Sequence, residues 1–234
     1  MGQDPSLSPD VQMQLLRPQQ LEDRMRAFPT VYVPFGPIEW HGRHLPLGTD
    51  ALKAHGILCK TAEAFGGVVH PPIYFHNGFD QAHLVPLLTQ LFTRLRATGF
   101  RVILGVSGHN VREMITMIDA ALQPVIADGR CAGMGAWEFE LADDPQHCRS
   151  DHAAKWETSD MMYLHGDRVD MGALGDGELN LDMKPPSGIG GEDPRTHASF
   201  EVGRRCVELA ANALGEQARK LLASLPAEHR AFSR

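Results

Sequence analysis

The sequence predicts an α/β domain built on a largely parallel sheet with helices over both faces. Apolar runs of strand length alternate with segments of helical periodicity, and the links between them are short. Size agrees with this: 234 residues at 43% hydrophobic content can bury one sizeable core.

Residues 1–28 carry Pro5, Pro9 and Pro18 in a polar, charged mix and read as an N-terminal extension. Its first part is expected to be loose, and Gln19–Phe28 to form a short helix. Residues 29–234 are expected to form a single domain. Val31-Tyr32-Val33-Pro34-Phe35 is a buried strand. Asp50 then precedes Ala51–Phe65, where Ala54, Ile57, Leu58, Ala62 and Phe65 fall in helical register; Asp50 is placed to cap this helix and Gly66-Gly67 to end it. Val68-Val69 and Ile73-Tyr74-Phe75 are strand material interrupted by Pro71-Pro72, and residues 76–80 form a turn-rich loop. Gln81–Thr98, with Leu84, Leu87, Leu88, Leu91, Phe92 and Leu95, is an amphipathic helix closed by Gly99. Arg101–Val106 is the clearest strand, Val111–Ile126 a helix, Cys131–Phe139 a strand and 140–151 an acidic loop. Gly166–Pro186 is irregular, Ser187–Pro194 a glycine-rich flexible loop, and Thr196–Leu222 one long helix on which Glu201 and Glu208 are solvated.

Net charge is −7 and no Lys/Arg-rich run occurs, which argues against nucleic acid or an anionic membrane as partner. Cys59, Cys131, Cys148 and Cys206 form no Cys-x-x-Cys pair, which disfavours a zinc ribbon or redox motif; scattered thiols fit a reducing compartment. No apolar run approaches the roughly 20 residues that span a bilayer, and Met1–Pro9 has no signal-peptide core. A cytoplasmic location is expected.

Glu39-Trp40-His41-Gly42-Arg43-His44-Leu45-Pro46-Leu47-Gly48-Thr49-Asp50 follows the first strand and packs two acids and two histidines into one short stretch. Carboxylate oxygen and imidazole nitrogen suit Zn²⁺, Mn²⁺ or Fe²⁺. Glu39 and His41 leave the same face of an extended segment, and Asp50 can fold back through the turn at Pro46–Gly48. His109, in Ser107-Gly108-His109-Asn110, also follows a strand. Ligands bind at the carboxyl ends of strands in such sheets, so the two segments can converge. Asp151–Ser159 carries His152 and Glu157. On a helix they would diverge by about 140°, so a loop leading into a helix is expected there. No Gly-x-Ser-x-Gly elbow supports Ser107 or Ser159 as a nucleophile.

The stretch 39–50 resembles, without gaps, the signature of the creatininase (creatinine amidohydrolase) family, roughly Glu-x-His-Gly-x-His-Leu-Pro-Leu-x-Thr-Asp. The resemblance covers about residues 30–204. It implies a three-layer α/β/α fold with a central, mostly parallel sheet, two divalent ions and a higher homo-oligomer. Carried over by position, Glu39 ligates one metal, His41 the other, Asp50 bridges both and His109 completes the first. Creatininase itself has an acid two residues after that histidine, where this chain has Val111. Many relatives instead have Gly-Gly after the histidine, and the resemblance implies that the glutamate of their Glu-Thr-Ser, here Glu157, is the fifth ligand; Glu113, four residues after His109, is a weaker candidate. His152 is expected to transfer the proton, and His44 to act behind the ligands or at the substrate. His76 and His83 remain open, and His55, His70, His147, His165, His197 and His229 are read as ordinary histidines.

Two cations about 3.5–4 Å apart activate a bridging water and clamp a tetrahedral intermediate. The expected function is thus a metal-dependent hydrolase that attacks a carbonyl of a small polar substrate, foremost a C–N amide such as a cyclic amide or formamide. The family also includes a peptide-cleaving enzyme and a hydrolase that opens a keto-inositol ring at a C–C bond. His109-Asn110-Val111-Arg112 replaces the usual His-Gly-Gly-Asn and marks a divergent subgroup. A non-catalytic metal-binding protein and a single-metal iron or zinc enzyme stay open as alternatives.

Overall fold

The central strand, β1 (Thr30–Ile38), contains two prolines, and the sheet is arranged so that neither needs an N–H. The computed structural model describes residues 7–76, 78, 80–142, 144–182 and 188–232. β1 lies between β4 (Val102–Ser107) on one side and β2 (Val68–Val69) and β3 (Ile73–His76) on the other; β4 pairs in turn with β5 (Ala132–Trp137). Every strand pair among the described residues is parallel. The Tyr32 carbonyl accepts from His70 N–H on the β2 side, and the Phe35 carbonyl accepts from Gly108 N–H on the β4 side. By alternation Pro34 faces the break between β2 and β3, at Pro71-Pro72, and Pro37 faces beyond the last residue of β4.

The same alternation sorts the core. Tyr32, Leu104 and Val106 face one layer, formed by α2 (Thr49–Phe65), α5 (Lys155–Leu164) and α7 (Phe200–Ser224). Val31, Val33, Phe35 and Ile103 face the other, formed by α1 (Pro18–Ala27), α3 (Gln81–Thr98) and α4 (Arg112–Ile126). The sequence thus specifies the three-layer α/β/α architecture. Val11 and Met25, from the expected N-terminal extension, are each 1% exposed and belong to these two cores.

Several local expectations are corrected. Asp50 does not cap α2: Gly48 holds the cap position and Asp50 lies in the first turn, its side chain turned to the strand ends. The long C-terminal helix is broken into α6 (Pro194–His197) and α7, because Ser199 caps α7 by accepting from Val202 N–H. β5 stops at Trp137, short of Phe139. The glycine-rich loop is anchored in its described part: Gly190 and His152 exchange both backbone hydrogen bonds, and Ile189 is buried with Leu45, Ala153, Ala154 and Met161. Residues 183–187 lie outside the described residues.

Two glycines let α2 rest on the strand ends. A Cβ on Gly108 would collide with the Asp50 carbonyl, and one on Gly36 with Ala51 N. Gly108→Ala is expected to lower stability by about 1–3 kcal/mol, the range for overpacking a filled site. Chemical denaturation checks this, and a loss below about 0.5 kcal/mol, the range of an ordinary surface change, contradicts it.

Candidate metal centre

Loop closure after β1 sets the first part of the site. Glu39 N–H donates to the Leu47 carbonyl (3.0 Å), and Thr49 N–H and Oγ1 both donate to the Pro46 carbonyl (3.2 and 2.7 Å). The turn therefore returns Asp50, on the first turn of α2, to the end of the strand that carries Glu39. β4 delivers His109 beside them. Ser107 Oγ accepts from His109 N–H (3.0 Å) and donates to the His109 carbonyl (2.9 Å), so this serine shapes a turn.

The two carboxylate oxygens of Asp50 face opposite ways. Oδ1 lies 3.1 Å from His41 Nε2, and Oδ2 lies 3.2 Å from His109 Nδ1 without a well-aligned hydrogen bond. Glu39 Oε1 lies 3.1 Å from His109 Nδ1, and Glu157 Oε2 lies 3.5 Å from His41 Nε2. The result is two groups with metal-ligand spacing that share Asp50: Glu39, Asp50 and His109, and His41, Asp50 and Glu157. A third group, Glu39, His41 and His152, overlaps both. The donor set is oxygen and nitrogen throughout, which suits a borderline divalent ion. His41 Nδ1 is 3.3 Å from the Glu39 carbonyl; the imidazole N–H donated there leaves Nε2 as the ligating atom. The residues present therefore fit the ions that the resemblance implies.

The segment before α5 supplies the rest. Asp151 accepts from the N–H groups of Trp156 (2.8 Å) and Glu157 (3.1 Å), doing the capping work for a helix whose cap residue is Ala154. Ala153 has φ 52°, the one positive-φ residue other than glycine among the described residues, and its N–H donates to Glu157 Oε2 at 2.7 Å. A left-handed alanine costs about 1–2 kcal/mol, a strain held by complete burial of the residue. His152 Nε2 lies 2.9 Å from the Trp40 carbonyl, its ring 4.4 Å from that of His41 and its Nδ1 3.9 Å from Glu39 Oε1. His44 is enclosed, with Nε2 2.8 Å from Thr158 Oγ1.

The electrostatics follow from crowding. Burial opposes charge on His41, but the hydrogen bond to Asp50 and the charges of Glu157 and Asp50 outweigh it and raise its pKa to about 9. His109 is likewise opposed by burial and raised to about 10 by Asp50 and Glu39. Asp50 is held well below the usual carboxylate range: burial is outweighed by His109, His41 and Lys53. Burial, then the neighbouring His41, lowers His44 to about 4. Burial, then the Glu157 charge, raises Asp151 to about 6.

Glu39, His41, Asp50, His109, Glu157 and His152 are thus brought together. Glu113 is not among them; it lines an adjoining cavity of about 210 Å³ with His76, Phe75 and Met117. The cavity over the site, about 360 Å³, is lined by Asp50, His109, His152 and Glu157, and the two cavities share His109 and Val111. A larger hollow, about 420 Å³ around Cys131 and His229, lies at the opposite end of β5 and gathers no metal-type group among the described residues. Sequence reasoning missed Asp151, Glu138 and Lys53. Lys53 left one signal: a lysine three residues after Asp50 and four before Ile57, on a helix whose neighbours are apolar.

A family model described as creatinine amidohydrolase matches residues 14–218. The mycofactocin precursor peptide peptidase of Mycolicibacterium smegmatis is 31% identical over 158 residues, 60% of this chain and 60% of that protein. The creatinine amidohydrolase of Pseudomonas putida is 24% identical over 172 residues, 59% of this chain and 65% of that one. The chain thus spans under two thirds of the length of these two relatives. A solved creatinine amidohydrolase structure superposes with TM-score 0.75 at 20% identity, covering 92% of this chain and 99% of its own. Solved creatininases include one described as Mn and an engineered variant of Zn-Zn type.

The raised imidazoles give a signed prediction. In the metal-free chain both His41 and His109 carry a proton at neutral pH, so ion binding at pH 7 releases about two protons per chain. Apparent affinity rises with pH until the imidazoles deprotonate unaided, near 9 and 10. Their contribution to the metal-free fold runs the other way: it is full below about 6.5, the unfolded value, and is lost as pH rises through about 9 and 10. Calorimetry in two buffers of different ionisation enthalpy reads the release, and none at pH 7 contradicts the assignment.

Proposed function

We propose that the chain, which belongs to the creatininase family, is a metal-dependent hydrolase acting on a carbonyl of a small polar substrate, foremost a C–N amide such as a cyclic amide or formamide. One observation carries this reading: Asp50 offers one oxygen to each of two ligand groups. Glu39, Asp50 and His109 would hold one ion, and His41, Asp50 and Glu157 the second. Zn²⁺, Mn²⁺ and Fe²⁺ suit these donors. When bound, such a pair supplies an activated water and a clamp for developing oxyanion charge.

The chain's own residues do the remaining work. His152 directs Nε2–H to the Trp40 carbonyl, which leaves the Nδ1 lone pair towards Glu39 and the cavity. There it takes a proton and returns it to the leaving nitrogen. His44 is shut away from the cavity and acts through Thr158, next to Glu157, as a positioning residue. Among the described residues no helix is long and apolar enough to cross a membrane. The proposal extends to a homo-oligomer in a reducing cytoplasm, where the four cysteines stay free as they are here.

Peptide-bond cleavage is the second reading. It is favoured by the cavities that meet at His109 and Val111, which leave room on both sides of the site for an extended substrate, and by the 31% identity to a peptide peptidase.

The metal-loaded chain, assayed against cyclic amides, formamides, short peptides and cyclic ketones, is expected to hydrolyse a C–N bond. His152→Ala is expected to lower kcat by about 10²–10⁴ with metal content unchanged. Turnover of cyclic ketones alone would overturn the amide reading, and no turnover by a chain holding two ions would favour a non-catalytic metal protein.

A further inference from the structure

Glu157 is held by more than its helix. Lys53, fully buried on α2, places Nζ 2.5 Å from Glu157 Oε1 and 2.9 Å from Glu138 Oε1. The other oxygen of Glu157, Oε2, accepts from Ala153 N–H at 2.7 Å and points to His41. Asp160, also fully buried, lies close enough for its charge to act on Lys53. Lys53 packs over the Phe139 ring at 5.4 Å. One ammonium therefore sits behind the site among four buried carboxyl groups, Glu157, Glu138, Asp50 and Asp160, and lines none of the cavity.

We infer that Lys53 is the positioning cation of the second donor group: it fastens Glu157 by Oε1 so that a single oxygen, Oε2, is presented beside His41 and Asp50. This rests on the two-ion reading above. An ammonium that claims one oxygen makes Glu157 a one-oxygen donor and keeps the face towards the cavity clear of a second carboxylate oxygen. Without Lys53 the Oε1 side of Glu157 loses its cation beside Glu138, and only the Ala153 N–H on Oε2 is left to hold the carboxylate. A purely structural lysine would support both donor groups alike. A positioning lysine acts chiefly on the group it touches, through Glu157; its charge reaches Asp50, which both groups share, without direct contact.

The test measures Mn²⁺ binding by equilibrium dialysis, with electron paramagnetic resonance to separate paired from isolated ions. It compares wild type, Lys53→Met, and the charge-neutral double variant Lys53→Gln with Glu138→Gln. The double variant keeps the buried charge balance, so it decides the matter if Lys53→Met does not fold. Wild type is expected to bind two ions. The folded variant is expected to hold one ion within a few-fold of wild-type affinity and the second about 10–100-fold more weakly, with the paired signal replaced by that of an isolated ion. A folded variant with two ions at wild-type affinity overturns the role of Lys53 alone, as does equal weakening of both. A wild type that binds fewer than two ions overturns the two-ion reading, and this inference with it.

Discussion

Carboxylates brought together in a protein interior repel unless cations stand between them, and this sets the terms for the carboxyl end of the sheet. Glu39, Asp50 and Glu157 converge with two imidazoles, ligand atoms within 4.8 Å of one another in each group. Two like charges about 4 Å apart repel by roughly 4 kcal/mol at an effective dielectric near 20, more than an ordinary hydrogen bond returns. The metal-free chain meets that repulsion with protons on His41 and His109 and with the Lys53 ammonium. Divalent ions would meet it better, since two carry more charge than two protonated imidazoles and bond directly to the same oxygens.

The fold serves this convergence. The turn after β1 reverses at Pro46, Gly36 and Gly108 let α2 approach within backbone contact, and Asp50 lands between two strand ends. On the other side, the lead-in to α5 is shaped by Asp151 at the helix start, the left-handed Ala153 and the paired backbones of His152 and Gly190. Ala153, left-handed and fully buried, aims its N–H at Glu157.

Legibility in the sequence followed the physics of each signal. Strand alternation and helical periodicity are local, so the parallel sheet, α3 and the two covering layers were readable from residues such as Leu84, Phe92 and Val102–Val106. Glu39, His41, Asp50 and His109 were readable because ligand-type side chains at strand ends are unusual. Asp50 as a helix cap was misread, since Thr49 hydrogen-bonds the Pro46 carbonyl and starts α2 two residues earlier. The break at Ser199 was hidden because helical periodicity continues across it. Lys53, Glu138 and Asp151 were missed for a deeper reason. Their importance lies in contacts between residues as far apart as 53 and 157, which no local pattern encodes.

One carboxylate, Asp50, is placed to serve two ions at once. Anomalous diffraction from crystals of the Mn²⁺-loaded chain reads out both positions. Two peaks are expected, one among Glu39, Asp50 and His109 and the other among His41, Asp50 and Glu157. A single peak, or two that do not share Asp50, would contradict that role of Asp50.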